Sequence, residues 1–219
     1  MREKVARFGR IFYERKLTDG AGGNISSRVE NLVCISPRYA GSKRQWQLSA
    51  EDILVVDLDG NVLDGAGELS RESKAHFKLH RELGHLGTGV IHAHARNVLV
   101  FAAQARPIPP VLESTRKFGE IGVTRYAPAH GQYLADYVFE VIEREQHRIT
   151  KQAAAAIAPY HGLFVMGKDI DAALDAVERI DNNAYCILMG SLLASSDALQ
   201  AARDTMEQTM ADYEAGENK

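Results

Sequence analysis

The chain has 219 residues, 45% of them hydrophobic and 25% charged, with a formal net charge of −3. This is ordinary globular composition, long enough to bury a sizeable core without disulfides or a structural metal. It gives no reason to expect nucleic acid or anionic lipid as a partner, and no apolar run approaches the ~20 residues that span a bilayer.

Met1-Arg2-Glu3-Lys4-Val5 is charged and lacks the apolar segment of a secretory leader. Cys34 and Cys186 stand far apart and outside any Cys-x-x-Cys pair. Both features suit a cytoplasmic chain with reduced, buried thiols.

In chain order, Val5, Phe8, Ile11, Phe12 and Leu17 make one apolar stripe at helical spacing over residues 2–17. Gly20-Ala21-Gly22-Gly23-Asn24 then breaks the helix. Such glycines serve either as a plain turn or as backbone brought close to a ligand. Short strands follow at 24–29, 31–36 and 53–58, the last entering a hairpin at Asp59-Gly60. Between them runs a basic loop that contains Arg38, Lys43 and Arg44. Ser70 reads as an N-cap for a helix over 71–83, with Glu72 in its first turn. Residues 88–94 read as a buried strand and 96–103 as a helix.

Further on, 123–126 reads as a strand and 130–144 as an amphipathic helix. The alanine-rich stretch 154–159 suits a strand or a helix equally well, and 163–166 reads as a strand. Helices over 169–190 and about 197–212 close the chain. With no repeat, low-complexity segment or linker, this order predicts a single domain over 1–219. Its class is α/β of the α+β type: a mostly antiparallel central sheet flanked by helices.

On a strand, residues two apart point to the same face. His92 and His94 therefore project together, and imidazole is a common ligand for zinc and similar ions. His161, just before Gly162 and an apolar strand, can supply a third ligand. Three protein ligands with an open position is the pattern of a catalytic site. Glu72 can act as a fourth ligand, a general acid/base, or both in turn. His76 and His80 share a helix face at i, i+4, which a surface face explains as well as a metal does, and His85, His130 and His147 have no comparable pairing.

Gly22-Gly23-Asn24-Ile25-Ser26, Glu72 with His76, Ile91-His92-Ala93-His94 and His161-Gly162-Leu163 resemble, in order and spacing, the class II aldolase/adducin family. The likeness runs from about residue 4 to Tyr213. It implies a nine-stranded antiparallel sheet and a homotetramer with active sites at subunit interfaces. It also implies one divalent ion per subunit, held by the residues matching His92, His94, His161 and Glu72. Zinc leads as that ion, and manganese, cobalt or iron are compatible with the same ligands.

The activity so implied is cleavage of a small ketose 1-phosphate into dihydroxyacetone phosphate and an aldehyde through a metal-stabilised enediolate, with Glu72 as acid/base. Asn24, Ser36 and Ser70 match or border the family's phosphate site. Arg71 and Arg38 stand where smaller residues are usual and could add a bidentate clamp. Glu113 lies where the family's methylthioribulose-1-phosphate dehydratases carry a catalytic glutamate; a structural ion pair with Arg116 or Lys117 is the other reading. Tyr213 falls near a tail tyrosine that reaches a neighbour's active site in the aldolase. A dehydratase using Glu113 and a non-catalytic, adducin-like assembly module are the rival functions.

Overall fold

The computed structural model describes residues 1–193 and 196–216. The strands are β1 (Asn24–Val29), β2 (Leu32–Ile35), β3 (Leu54–Asp57), β4 (Val62–Asp64), β5 (Gly89–Ala93), β6 (Gly122–Val123), β7 (Ala153–Ala158) and β8 (Gly162–Gly167). They form one sheet in the order β4-β3-β2-β1-β5-β8-β7-β6. Every pairing is antiparallel except β6 with β7. The expected fold class holds, with eight strands among the described residues where nine were implied. The helices are α1 (Arg2–Glu14), α2 (Ser73–Glu82), α3 (Arg96–Ala103), α4 (Gln132–Arg144), α5 (Ile170–Gly190) and α6 (Ser196–Ala215).

Side-chain alternation along the central strands divides the core in two. Ile91, Ala93, Leu163 and Val165 pack with α1, α3 and α5. Val90, Phe164 and Met166 pack with α2 and α4. Strands covered on both faces need apolar residues at every position, which is why β5 and β8 lack a polar alternation. The same demand settles the alanine run. Alanine favours helix intrinsically, but Ala153–Ala158 is buried throughout and hydrogen-bonded to β8 along its length, so pairing overrides propensity.

Several expectations shift at their edges. The strand expected at 123–126 shrinks to Gly122–Val123. Helix α2 starts at Ser73 with Glu72 as its cap residue, and Ser70 Oγ instead accepts the Glu72 backbone N–H at 3.3 Å. Glu72 thus sits at the helix mouth and not inside the first turn. Trp46 is fully buried, edge-on to Phe12 at 5.5 Å between ring centroids. The surface-face reading of His76 and His80 is overturned: both are fully buried against β1, bonded to Ser26. Both cysteines are free, Cys34 buried and Cys186 half-buried. No helix among the described residues is long and apolar enough to cross a membrane.

Helix α5 also braces the loops nearest the strand ends. Helix α3 has no side-chain cap of its own at Ala95. Buried Asp181 supplies one from α5, accepting the backbone N–H groups of Asn97 at 2.8 Å and Val98 at 3.2 Å. Two residues on, Asn183 Oδ1 accepts the N–H groups of Val111 and Leu112. Because only His94 and the cap residue Ala95 separate β5 from α3, the Asp181 cap also steadies the exit of β5. Asp181→Ala leaves these buried donors unpaired and is expected to cost about 1–3 kcal/mol. Urea denaturation should show this as a lower midpoint at unchanged m-value.

Candidate metal centre

Three segments meet at one end of the central strands. His92 lies in β5 on the α2/α4 face, stacked on its register partner Phe164 with centroids 4.2 Å apart. His94 follows the end of β5. The antiparallel pairing of Ala93 with Leu163 brings the start of β8 alongside, and His161 immediately precedes that strand. One ligand atom from each of His92, His94 and His161 lies within 4.8 Å of the others, an arrangement able to hold a metal ion. Glu72 closes the group from the mouth of α2: Oε2 is 3.1 Å from His92 Nε2, and Oε1 is 2.8 Å from His161 Nε2.

Two of the three imidazoles are oriented from behind. The Leu163 carbonyl accepts from His92 Nδ1 at 3.1 Å. A carbonyl cannot donate, so Nδ1 carries a proton, and Nε2 faces Glu72, where it would offer its lone pair to an ion seated between them. Asp19 does the same for His94, 3.3 Å from its Nδ1, and leaves a buried Nε2 with no hydrogen-bond partner. A carboxylate or carbonyl behind each ring is the usual support of a metal-ligating histidine. The donor set of three imidazoles and one carboxylate, with the His94 Nε2 buried and unpartnered, fits a divalent ion such as zinc.

The charges are coupled. Burial works against ionising Glu72, but His92 and His161 outweigh it and hold the carboxyl far below its usual range. Burial, reinforced by His92 and opposed by Asp19, pushes His94 down to about 4, so its ring is neutral near pH 7. Asp19 is itself lowered: burial raises it, and the backbone N–H groups of Ala21 and Gly22 with His94 prevail. Asp19 escaped the sequence reading because a lone Asp before a glycine cluster looks like turn chemistry, and it does form that turn as well.

Two glycines make the packing possible. A Cβ on Gly22 would fall inside the His94 ring. A Cβ on Gly162 would strike the Ala93 carbonyl, with His92 and His94 close behind. The bend at 20–23 is therefore more than a turn: it is backbone moulded around an imidazole.

Next to Glu72 opens a cavity of about 130 Å³, lined by residues 20–24 and 37–42 with Ser70, Arg71, Glu72 and His130. Asn24 is buried there with an unpartnered Oδ1. Arg71 is exposed and has no ion pair among the described residues. Arg38 is paired with Glu68 at 2.9 Å, its guanidinium 4.5 Å from the Tyr39 ring centroid. His130 was missed: its Nδ1 lies 3.6 Å from Glu72 Oε1, brought there by a loop with φ of 71° that no spacing rule foretells.

Other expected residues fall elsewhere. Ser36 does not line the cavity and uses its hydroxyl to accept the Ile25 N–H at 3.1 Å. Glu113 opens a 3₁₀ turn on a separate cavity with Arg116, Lys117 and Arg148. The expected Glu113 pairing with Arg116 or Lys117 is not formed; Arg116 binds Glu207 and Glu214 of α6 instead. Tyr213 is exposed on α6. Within one chain, then, neither Glu113 nor Tyr213 joins the histidines.

The family described as Class II Aldolase and Adducin N-terminal domain matches residues 3–188. An L-fuculose phosphate aldolase of Methanococcus maripaludis is 30% identical over 176 residues, covering 80% of this chain and 89% of that protein. A 5-deoxy-D-ribulose 1-phosphate aldolase of Bacillus thuringiensis is 27% identical over 184 residues, covering 82% of this chain and 80% of that one. A solved L-fuculose 1-phosphate aldolase superposes with a TM-score of 0.73 at 20% identity, covering 94% of this chain and 95% of its own, and shares the fold.

Gly22→Ala forces the His94 ring out of place. Its affinity for zinc, read by competition titration, is expected to fall about 10- to 100-fold, with the far-ultraviolet spectrum unchanged.

Proposed function

We propose that this chain, which belongs to the class II aldolase and adducin family, is a divalent-metal-dependent aldolase. It cleaves a small ketose 1-phosphate to dihydroxyacetone phosphate and an aldehyde. The observation that carries this reading is the contact of the buried Glu72 carboxylate with two of three clustered imidazoles, beside an arginine-bearing cavity. The aldolases of the two curated relatives act on L-fuculose phosphate and 5-deoxy-D-ribulose 1-phosphate, which are the first substrates to try.

His92, His94, His161 and Glu72 would hold the ion, with zinc first and manganese, cobalt or iron as alternatives. When bound, it supplies Lewis-acid polarisation of the substrate's ketone and neighbouring hydroxyl oxygens, easing the break of the C3–C4 bond. Glu72 is then the acid/base that moves a proton on the three-carbon fragment. Its present partners are the groups it would exchange for substrate. Asn24 and Ser70 supply neutral polar contacts to the phosphate end, and the unpaired Arg71 supplies charge. Arg38 contributes less, because Glu68 already neutralises it.

In a homotetramer with sites at subunit boundaries, Glu113 and Tyr213 belong to the rim that meets a neighbour's site. Their exposure, and their absence from the lining of the cavity beside Glu72, agree with that assignment.

Purified protein incubated with L-fuculose 1-phosphate or 5-deoxy-D-ribulose 1-phosphate should release dihydroxyacetone phosphate, lose this activity on chelation, and regain it on adding zinc. Loss of water without carbon–carbon cleavage would overturn the aldolase assignment in favour of a dehydratase. Glu72→Gln should lower kcat by about 10²- to 10⁴-fold. Arg71→Ala should raise KM for the phosphorylated substrate roughly 10- to 100-fold with a smaller change in kcat; equal KM values would show that Arg71 does not bind the anion.

A further inference from the structure

A second polar cluster lies beneath the centre and has no part in the chemistry described above. Ser26 on β1 is fully buried, with Oγ 2.7 Å from His76 Nδ1 and 2.8 Å from His80 Nε2. Both histidines are also fully buried. Glu72, His76 and His80 follow one another at i, i+4 and so occupy one face of the α2 turn sequence. On β1, Ser26 is two residues from Asn24 and shares its face. Asn24 in turn is the register partner of His92, and Ser26 that of Val90. One hydroxyl therefore joins the helix that carries Glu72 to the strand that flanks His92.

Polar chemistry is an expensive way to hold a core together here. His76 Nε2 and His80 Nδ1 are buried without hydrogen-bond partners, and each such atom carries a desolvation cost that an apolar side chain would not. Burial keeps both rings neutral, pushing His80 down to about 3 and His76 well below its ordinary value. What hydrogen bonds add over apolar packing is direction and a fixed length. Apolar packing alone would fix the height of α2 over β1 less uniquely than two directed bonds of set length. The Glu72 contacts with His92 and His161, at 3.1 and 2.8 Å, depend on that height.

We propose that Ser26, His76 and His80 are positioning residues, with the Ser26 hydroxyl as the hub that sets the height of α2 above β1 and so the reach of Glu72 to the histidine cluster. This rests on the reading of Glu72 as metal ligand and acid/base. The bonding atoms select the variants that test it. Glutamine in place of His80 can present an amide group near the position of Nε2, and leucine fills similar space with no polar atom.

Ser26→Ala, His80→Leu and His80→Gln are compared with wild type by zinc competition titration, by steady-state kinetics on the ketose 1-phosphate that wild type cleaves, and by thermal unfolding of the metal-free protein. The hub predicts that Ser26→Ala and His80→Leu lose about tenfold or more in zinc affinity. It also predicts that kcat falls by more than KM rises, and that His80→Gln recovers most of both. Variants that shift the metal-free unfolding temperature but keep zinc affinity and kcat within twofold of wild type would overturn it as merely structural. Should Ser26→Ala fail to fold, the glutamine-against-leucine pair at 80 decides: equal losses in both overturn the hub, and selective rescue supports it. A wild-type chain that takes up no zinc removes the metal reading and the hub together, whereas unaltered variants of a zinc-binding wild type remove the hub alone.

Discussion

Burying a carboxylate against two imidazoles is the arrangement on which the rest of this end of the molecule depends. An isolated buried carboxylate would be strongly disfavoured. Glu72 is tolerated because His92 and His161 approach both of its oxygens from neighbouring strands. That requires β5 and β8 to be adjacent and antiparallel, and α2 to begin where it does, with Glu72 at its mouth. Moving the start of α2 by one residue would turn the carboxylate by about 100° around the helix axis, away from both rings.

The supporting structure is correspondingly specific. Asp19 and the Leu163 carbonyl orient two of the rings from behind, and the missing side chains of Gly22 and Gly162 leave room for them. Three residues other than glycine take left-handed backbone conformations around the same centre. Tyr39 has φ 64° and His130 φ 71°, both on the cavity wall, and Tyr160 has φ 59° immediately before His161. Each such conformation costs on the order of 1 kcal/mol or more and persists only where its surroundings enforce it. Five further non-glycine residues with positive φ (Lys16, Glu30, Gln45, Trp46 and Ala105) show that such backbone is not confined to this end, whereas the middle of the sheet is packed with alanine, valine and leucine.

The cavity beside Glu72 carries two arginines in different states. Arg71 faces solvent beside Glu72, and Arg38 is already engaged by Glu68 and Tyr39. Two arginines in one cavity need not act alike: a guanidinium paired with a carboxylate offers little net charge to a phosphate, whereas an unpaired one offers all of it. The small volume of the cavity beside the histidine cluster has room for a short ligand and not for a bulky one.

Much of this was legible in residue order. The spacing of two between His92 and His94, the apolar run around them, and the glycine after His161 are local patterns with direct geometric meaning. So are the helical stripe of 2–17 and the hairpin at Asp59-Gly60. Asp19, His130 and the Ser26–His76–His80 cluster were not legible, because each depends on segments 50 or more residues apart meeting in space. The helical face of His76 and His80 was visible, but whether it faced solvent or β1 was not. The alanines of β7 illustrate the same limit: their intrinsic preference is helical, and only the partner strand β8 decides otherwise. By itself the sequence determined which imidazole and carboxylate side chains could cluster, their likeness to one family and the mixed α and β class, since these follow from residue chemistry and short-range periodicity. Tertiary structure alone decided which rings turn toward Glu72, which arginine stays free and which polar atoms are buried, because those depend on strand register and helix height, quantities that no local spacing encodes.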